Sequence, residues 1–442
     1  MFIDFLPLSR ILISGFNARV IIALLAFFLS NSGFAQTHLT LEQAVLIAQK
    51  NDPWLSGNRY KEQAVISESV VAGTLPDPVV SLSAANLPID SFDLAQEPMT
   101  QMRIGISQAF PRGETRKLKQ EQLSVLSEQY PFMRMDRNTT VRTRVSHLWL
   151  EVYRNWQAIR LTEENREFFE HLVDIAESSY TSTVGSSRQQ DLIRANLELT
   201  RLDDRLVNLQ QRYETNKAQL LEWLPENSIA GVSLSNGLPG LELDAPDEIN
   251  SGELAQILLA HPRVEALNQK ITSTNLGVEL ARQKYKPQWG VNAAYAYRDE
   301  DLLGNDRSDF FSIGVSFDLP LFTAKKQDKE LEAAQANEEA IKTEKALLLR
   351  SMRTRFESSI AKLKFLEQRQ ALYEDSLLHE TQDQADAALT AYANDAGDFA
   401  EVMRAQIAEL DTQIDFLNLQ IDRLKTISEL NYFLSPVEEE RL

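Results

Sequence analysis

Two stretches of the chain alternate apolar and polar residues and then stop on a proline. In one, Phe311, Ile313, Val315, Phe317 and Leu319 alternate with Ser312, Gly314, Ser316 and Asp318 ahead of Pro320. That is the period of an extended strand with one apolar face. In the other, Met102, Ile104 and Ile106 alternate with Arg103, Gly105 and Ser107, and Pro111 closes the run. Past each proline the period changes to that of a helix. Between Pro320 and Pro436 there is no further proline and one glycine, Gly397, in a run rich in Ala, Leu, Glu, Gln and Lys. Between Pro131 and Pro225 the only glycine is Gly185. Each strand therefore feeds a long helical hairpin, with reversals expected near Gly185 and Gly397. The return helices carry coiled-coil spacing, through Leu199, Leu202, Leu206, Leu209, Tyr213 and Leu220 in the first and Ile407, Leu410, Ile414, Leu417, Ile421 and Leu424 in the second. The outgoing helix from Arg112 to Tyr180 would span roughly 100 Å if continuous, with a kink expected at Pro131.

The two strand-to-hairpin units are copies. A spacing of 209 residues carries Gly105 to Gly314, Ser107 to Ser316 and Pro111 to Pro320, and also Pro53 to Pro262 and Pro78 to Pro287. Such coincidence at one spacing marks an internal duplication. Ahead of the first hairpin, Leu39 to Lys50 reads as a helix with Thr40 as its N-cap, and a second helix runs from Pro53 to Ala72. A strand from Val79 to Asn86, a loop from Leu87 to Thr100 and the strand from Gln101 to Ala109 follow. The second copy repeats the order: a helix from Glu253 to Ala260, one from Pro262 to Tyr285, a strand bearing Trp289, Val291, Ala293, Tyr295 and Tyr297, an acidic loop from Asp299 to Asp309, then the strand ending at Pro320. The expected division is a leader at 1–35, a first repeat at 36–224, a connector at 225–250, a second repeat at 251–434 and an acidic tail at 435–442.

Composition narrows the picture. Arg10 and Arg19, an apolar run from Val20 to Leu29 and small residues ending Ser32-Gly33-Phe34-Ala35 read as a secretory signal cleaved after Ala35; the alternative is a membrane anchor, for which the apolar core is short. No other segment is as apolar, so any membrane insertion of the mature chain is by strands. Cysteine is absent, which excludes disulfides, thiolate metal sites and a lipid-bearing N-terminal cysteine. A formal net charge of −19 argues against nucleic-acid binding. The five histidines fall in no metal-ligand spacing, and neither a nucleophile elbow nor a phosphate-binding glycine loop occurs, so neither an enzyme nor a cofactor is expected. Trp289, Tyr295 and Tyr297 could fill the core of a soluble sandwich or face lipid; runs of about 8 to 11 residues suit a tilted crossing of an outer membrane.

These features together resemble the TolC family of outer-membrane efflux proteins: a signal peptide, a tandem repeat of two helices, two strands and two long helices, and strand–helix junctions at Pro111 and Pro320. The segments from Gly185 to Ala195 and from Gly397 to Ala405 are similar to the family's tip signature, through Asp191-Leu192-Ile193-Arg194-Ala195 and Glu401-Val402-Met403-Arg404-Ala405. Glu97-Pro98-Met99-Thr100 followed by Ile104 to Pro111 resembles the branch paired with heavy-metal RND exporters. The resemblance implies a mostly α fold with membrane β structure. Four strands per chain would enter a trimeric 12-stranded outer-membrane barrel, and the long hairpins would build an α-barrel across the periplasm. It further implies a passive homotrimeric duct that docks to a periplasmic adaptor (membrane fusion) protein and an inner-membrane RND pump, for heavy-metal cations or drugs. A type I protein-secretion channel and a periplasmic coiled-coil adaptor are the competing readings.

The reversals would lie farthest from the outer membrane. Asp395, Asp398 and Glu401 cluster at Gly397, and Asp191 occupies the matching place in the first copy. Either these are solvated acidic turns or three-fold symmetry makes them a cation-favouring periplasmic gate.

Overall fold

The computed structural model describes residues 38–181, 189–225, 233–234, 237–244, 249–394 and 396–435. The expected leader, nearly all of the acidic tail, the reversal at Gly185 and the carboxylate of Asp395 lie outside them. A two-residue strand β1 (His38–Leu39) precedes helices α1 (Leu41–Asn51) and α2 (Pro53–Gly73). Strands β2 (Val79–Ala85) and β3 (Gln101–Phe110) lead into α3 (Thr115–Ser127), α4 (Gln129–Thr181) and α5 (Gln189–Leu221). After β4 (Ser233–Leu234), the second copy provides α6 (Ser251–Leu259), α7 (Pro262–Gln283), β5 (Trp289–Tyr297) and β6 (Phe310–Phe317). It ends with α8 (Gln327–Leu372), α9 (Leu378–Ala393) and α10 (Phe399–Leu434).

Local chemistry sets these boundaries. Thr40 closes a capping box over α1, its hydroxyl accepting from the Gln43 amide at 3.2 Å while the Gln43 side chain accepts from the Thr40 amide. Asn250 and Glu253 do the same for α6. Asp52 and His261 cap α2 and α7, each directly before a proline whose missing N–H costs nothing at that position. The expected kink at Pro131 is a full break. A proline ring collides with the carbonyl four residues earlier, which is that of Ser127, the last residue of α3. With Ala340 at the equivalent place, α8 runs on without interruption and is joined to α9 by a π-helical turn at Tyr373–Leu377. Leu39, expected in the first helix, belongs instead to β1, which pairs in parallel with β4 in the connector. Two-residue strands carry no periodic signal.

The main sheet is antiparallel throughout, in the order β2-β3-β5-β6. Its helical continuation keeps that order: α2 packs on α3, α3 on α7 and α7 on α8. Below, α4 packs on α5 and α10, and α10 on α9, so the two hairpins lie side by side. The heptad residues lie between them, with Leu410 and Ile421 fully buried. One cluster joins α1 to α4 through Ala44, Val45, Val141, Val145 and Trp149, whose indole N–H donates to the Leu39 carbonyl at 3.1 Å. A second lies toward the reversals, around Phe169, Leu172, Phe399 and Met403. The third joins α6 to α8 and α10 through Leu254, Leu258, Phe356 and Phe433.

His261, read from the sequence as an ordinary polar residue, is fully buried and joins two elements. Its Nδ1 accepts from the Arg263 amide at 3.2 Å, and its Nε2–H donates to the Tyr432 carbonyl at 3.0 Å. This arrangement needs the neutral ring, and burial holds its pKa below 6.5. Burial also pushes the Tyr432 phenol up to about 12, with the neighbouring Asp136 carboxylate adding to the effect. As pH falls below 6.5, the unfolded chain binds a proton on this histidine that the folded chain does not, so stability declines toward the lowered folded value. His147, also lowered chiefly by burial, adds a second contribution of the same sign. Replacing His261 with Asn keeps a capping oxygen and removes the bond to Tyr432. The expected result is a loss of about 1–3 kcal/mol at neutral pH, together with a shallower decline in acid. Urea unfolding of both proteins at neutral and at mildly acidic pH measures the two effects.

Candidate functional site

The registers of the sheet sort its side chains onto two unlike faces. Val80, Leu82 and Ala84 stand opposite Ile106, Ile104 and Met102; those oppose Ala293, Tyr295 and Tyr297; and Val291, Ala293 and Tyr295 oppose Val315, Ile313 and Phe311. The members of that face are apolar or aromatic except Gln108, which stands opposite Val291 at the end nearest the helices and donates to the Pro76 carbonyl at 2.8 Å. The reverse face carries Ser81, Ser83, Gly105, Ser107, Asn292, Ala294, Ser312 and Gly314. In a sheet of a soluble sandwich the apolar face would be covered. Here it is open in the single chain, with Leu82 78 %, Phe311 72 % and Ile313 73 % exposed. Trp289 and Tyr297, at opposite ends of β5, are also exposed, the positions at which such rings meet a membrane interface. Among the described residues no helix is long and apolar enough to cross a membrane. Within the chain, β2 and β6 each have one unpaired edge.

The proline junctions at Pro111 and Pro320 are stitched together. Arg112 forms a salt bridge with Asp318 and donates to the Lys286 carbonyl at 2.7 Å, while the other Asp318 oxygen accepts from the Gln288 amide at 2.7 Å. Thus three of the four turns between sheet and helices share one ionic knot. Gly113 adopts φ +45°, and a Cβ there would meet Gln283 Oε1 at 2.5 Å; that oxygen accepts from the Glu114 amide at 3.2 Å. At the far end, Arg298 donates to the Pro98 carbonyl at 2.7 Å, and Arg307 to the carbonyls of Glu97 and Ala95 at 3.1 and 3.0 Å. The two strand loops are clasped to each other by these arginines. The junction pair and the loop clasp were not foreseen: residues some two hundred positions apart leave no spacing pattern.

At the tip near Gly397, the carboxylates have separate tasks. Asp398 caps α10, accepting from the Ala400 amide at 3.3 Å. Glu401 is half-buried and pairs with Arg404 at 2.8 Å. Asp191 is 8 % exposed and partnered. Val402 and Ala195, small and apolar members of the tip signature, fill the core around Phe399, whose ring meets Tyr392 edge-on at 5.4 Å, and Ala405 is buried as well. A Cβ on Gly397 would touch the Tyr392 amide nitrogen at 2.8 Å, so this turn admits only glycine without a shift. Above the tip stands a further acidic pair that the sequence did not single out. Burial raises the pKa of Glu409 on α10, and the Asp386 carboxylate of α9 raises it further. Ion pairs cross-brace the hairpins there: Arg166 to Asp203 at 2.8 Å between α4 and α5, and Arg205 to Asp411 at 2.6 Å between α5 and α10. The described residues contain no cluster of three or more potential metal-ligating side chains.

Neither a protein-family model nor a curated protein sequence matches the chain. Solved structures do. The outer membrane channel CmeC of Campylobacter jejuni superimposes with a TM-score of 0.74 at 16 % identity, covering 89 % of this chain and 85 % of its own. The outer membrane protein VceC of Vibrio cholerae gives 0.71 at 13 % identity over 90 % and 97 % of the two chains. CusC, a protein that forms a transmembrane channel, gives 0.73 at 16 % identity over 90 % and 93 %. Nearly the whole of this chain, sheet and hairpins together, therefore has the fold of bacterial outer-membrane channels.

Proposed function

We propose that the chain is an outer-membrane channel-tunnel: three copies close their sheets into one 12-stranded barrel, and their hairpins form a periplasmic duct. The observation that carries this reading is a sheet with one face apolar from mid-strand to the loop end, two unpaired edges and helices continuing every strand. Unpaired backbone groups in hydrocarbon cost several kcal/mol each, so only a closed barrel is stable there, and four strands are too few to close one. Three copies supply twelve. The similarity to CmeC, VceC and CusC supports the same assembly. The duct is passive and works with a periplasmic adaptor and an inner-membrane RND pump that meets it at the helical tips. Its cargo is heavy-metal cations or drugs. The segment resembling the heavy-metal branch, Glu97 to Thr100, contributes carbonyls to the loop clasp, so its sequence reports loop architecture at least as much as cargo. A protein-secretion role would use the same duct. A coiled-coil adaptor would need a covered soluble sheet, which this open apolar face opposes.

Two substitutions at adjacent positions of β6 test the membrane reading. Ile313→Arg puts a charge on the apolar face at mid-strand, with an expected cost of roughly 2–4 kcal/mol per chain; Ser312→Arg puts the same charge on the polar face. The first is expected to abolish detergent-stable trimers in native mass spectrometry, the second to leave them intact. Equal effects would refute the assignment of faces.

Topology follows from the same geometry. A protease-cleavable tag at Gly304, in the exposed loop after β5, is expected to be cut on intact cells, and one at Gly397 to be protected. The opposite pattern would overturn the orientation.

The acidic tip is proposed as a cation-favouring ring at the periplasmic end. Since Asp398 is also a helix cap, removing its charge with Asn keeps the cap, whereas Ala would cost about 1 kcal/mol of helix stability as well. The triple variant Asp395→Asn, Asp398→Asn, Glu401→Gln is expected to form trimers normally, to lose cation selectivity in planar bilayers and to raise leak conductance. Unchanged selectivity would mean a solvated turn.

A further inference from the structure

We infer that a cavity where α4, α7, α8 and α10 converge is an oxyanion-binding site, and, given the channel reading above, that it opens on the wall of the duct. Its volume is about 660 Å3. Three arginines line it, Arg144 from α4, Arg263 from α7 and Arg355 from α8, together with His147 and five Ser or Thr hydroxyls. Against them stands a single carboxylate, Glu429, which already accepts from Ser359 at 3.4 Å and lies 3.9 Å from His147. Arg263 has a neighbour in the Tyr432 phenol, which donates to Asp136 at 2.8 Å. Arg144 and Arg355 are exposed and make no ion pair among the described residues.

The surroundings make this surplus unusual. The chain carries a formal charge of −19, and a few turns along α4 and α10 the cations Arg154 and Lys425 are matched by carboxylates. Glu151 pairs with both Arg154 and Lys425, and Arg154 reaches Asp422 at 3.3 Å. In the cavity, three guanidinium groups face one carboxylate inside a concave wall that focuses their field. Guanidinium forks with hydroxyl donors between them are the donor set that phosphate, sulfate and carboxylate groups require.

Helix geometry fixes which way the cavity opens. On α4, Val141, Val145 and Trp149 pack against α1. At about 100° per residue, Thr140, Thr143 and His147 fall on the opposite side and Arg144 on its flank. The cavity therefore lies on the face away from α1. In a closed tunnel with α1 and α6 applied to its outer surface, that face is the lumen, and three-fold symmetry repeats the site around it. The ligand is a small oxyanion or an anionic group on passing cargo, and rings of Arg are the expected device for such species.

Thermal unfolding of the detergent-solubilised full chain, with inorganic phosphate against chloride at matched ionic strength, tests the site without requiring a channel. Phosphate is expected to raise the midpoint of the wild type. In R144Q/R355Q its apparent affinity is expected to fall roughly 10- to 100-fold, the loss of two charge-assisted contacts. R353Q, which removes an arginine paired with Glu357 elsewhere on α8, is expected to respond as wild type. No phosphate effect beyond chloride, or an equal loss in R353Q, would overturn the proposal; the guanidinium groups would then be neutralised by a neighbouring copy or act only as general surface charge. In planar bilayers, phosphate added to wild-type channels is expected to lower conductance, and not in the double variant. If no channels form at all, the proposed function fails and the thermal measurement still decides the site. If channels form and phosphate binds without changing their conductance, the lumenal placement is wrong.

Discussion

The outer hydrogen-bonding groups of β2 and β6 are the constraint on which the rest of the architecture rests. A sheet with one apolar face can be stable in lipid only if no edge remains, so the fold of one chain is incomplete as a membrane object. Each strand continues into a helix, and the helices keep the strand order β2-β3-β5-β6 as α2-α3-α7-α8. Closing the sheet therefore also closes the helical layer. The Arg112–Asp318 bridge and its neighbouring hydrogen bonds hold the turns at this transition, so that strand register and helix placement cannot slip independently.

Much of this was legible from residue patterns because the elements are long and strongly periodic. Period-two alternation marks β3 and β6, heptads mark α5 and α10, and a repeated spacing of prolines marks the duplication. What escaped was short or distant. The β1–β4 bridge has no period, the π-helical turn between α8 and α9 contains no breaker residue, and the Arg298 and Arg307 clasp joins residues from different copies. At the tip, the acidic residues were visible but their tasks were not. Whether a carboxylate caps a helix, pairs with an arginine or is buried depends on packing that spacing does not encode. The histidines show the same limit: His261 differs from the others only in what surrounds it.

Charge distribution separates the helices into regions of different character. About half of the ion pairs among the described residues are i,i+3 and i,i+4 pairs along a single helix, and the solvent-exposed ones are worth a few tenths of a kcal/mol each. The inter-helical bridges from Arg166 and Arg205 instead resist sliding of α5 against α4 and α10. Together with the electrostatic opposition of Glu409 and Asp386, they place both attraction and repulsion between helices near the tip, where movement of the helices would change the aperture of the proposed duct.

The π-helical turn at Tyr373–Leu377 bears on how two copies of unequal length can share one symmetry. At the strand junctions, Pro111 and Pro320 are 209 residues apart, but Asp191 and Glu401 at the tips are 210 apart. One additional residue in a regular α-helix would rotate everything beyond it by about 100° and lift it by about 1.5 Å. A π-helical turn accommodates one residue locally, leaving the faces above and below it in phase. The second hairpin can thus arrive at the tip in step with the first, α5 beginning at Gln189 and α10 at Phe399. In the proposed three-chain assembly, six hairpins would then act as near-equivalent staves of a pseudo-six-fold cylinder, even though the genetic repeat is imperfect.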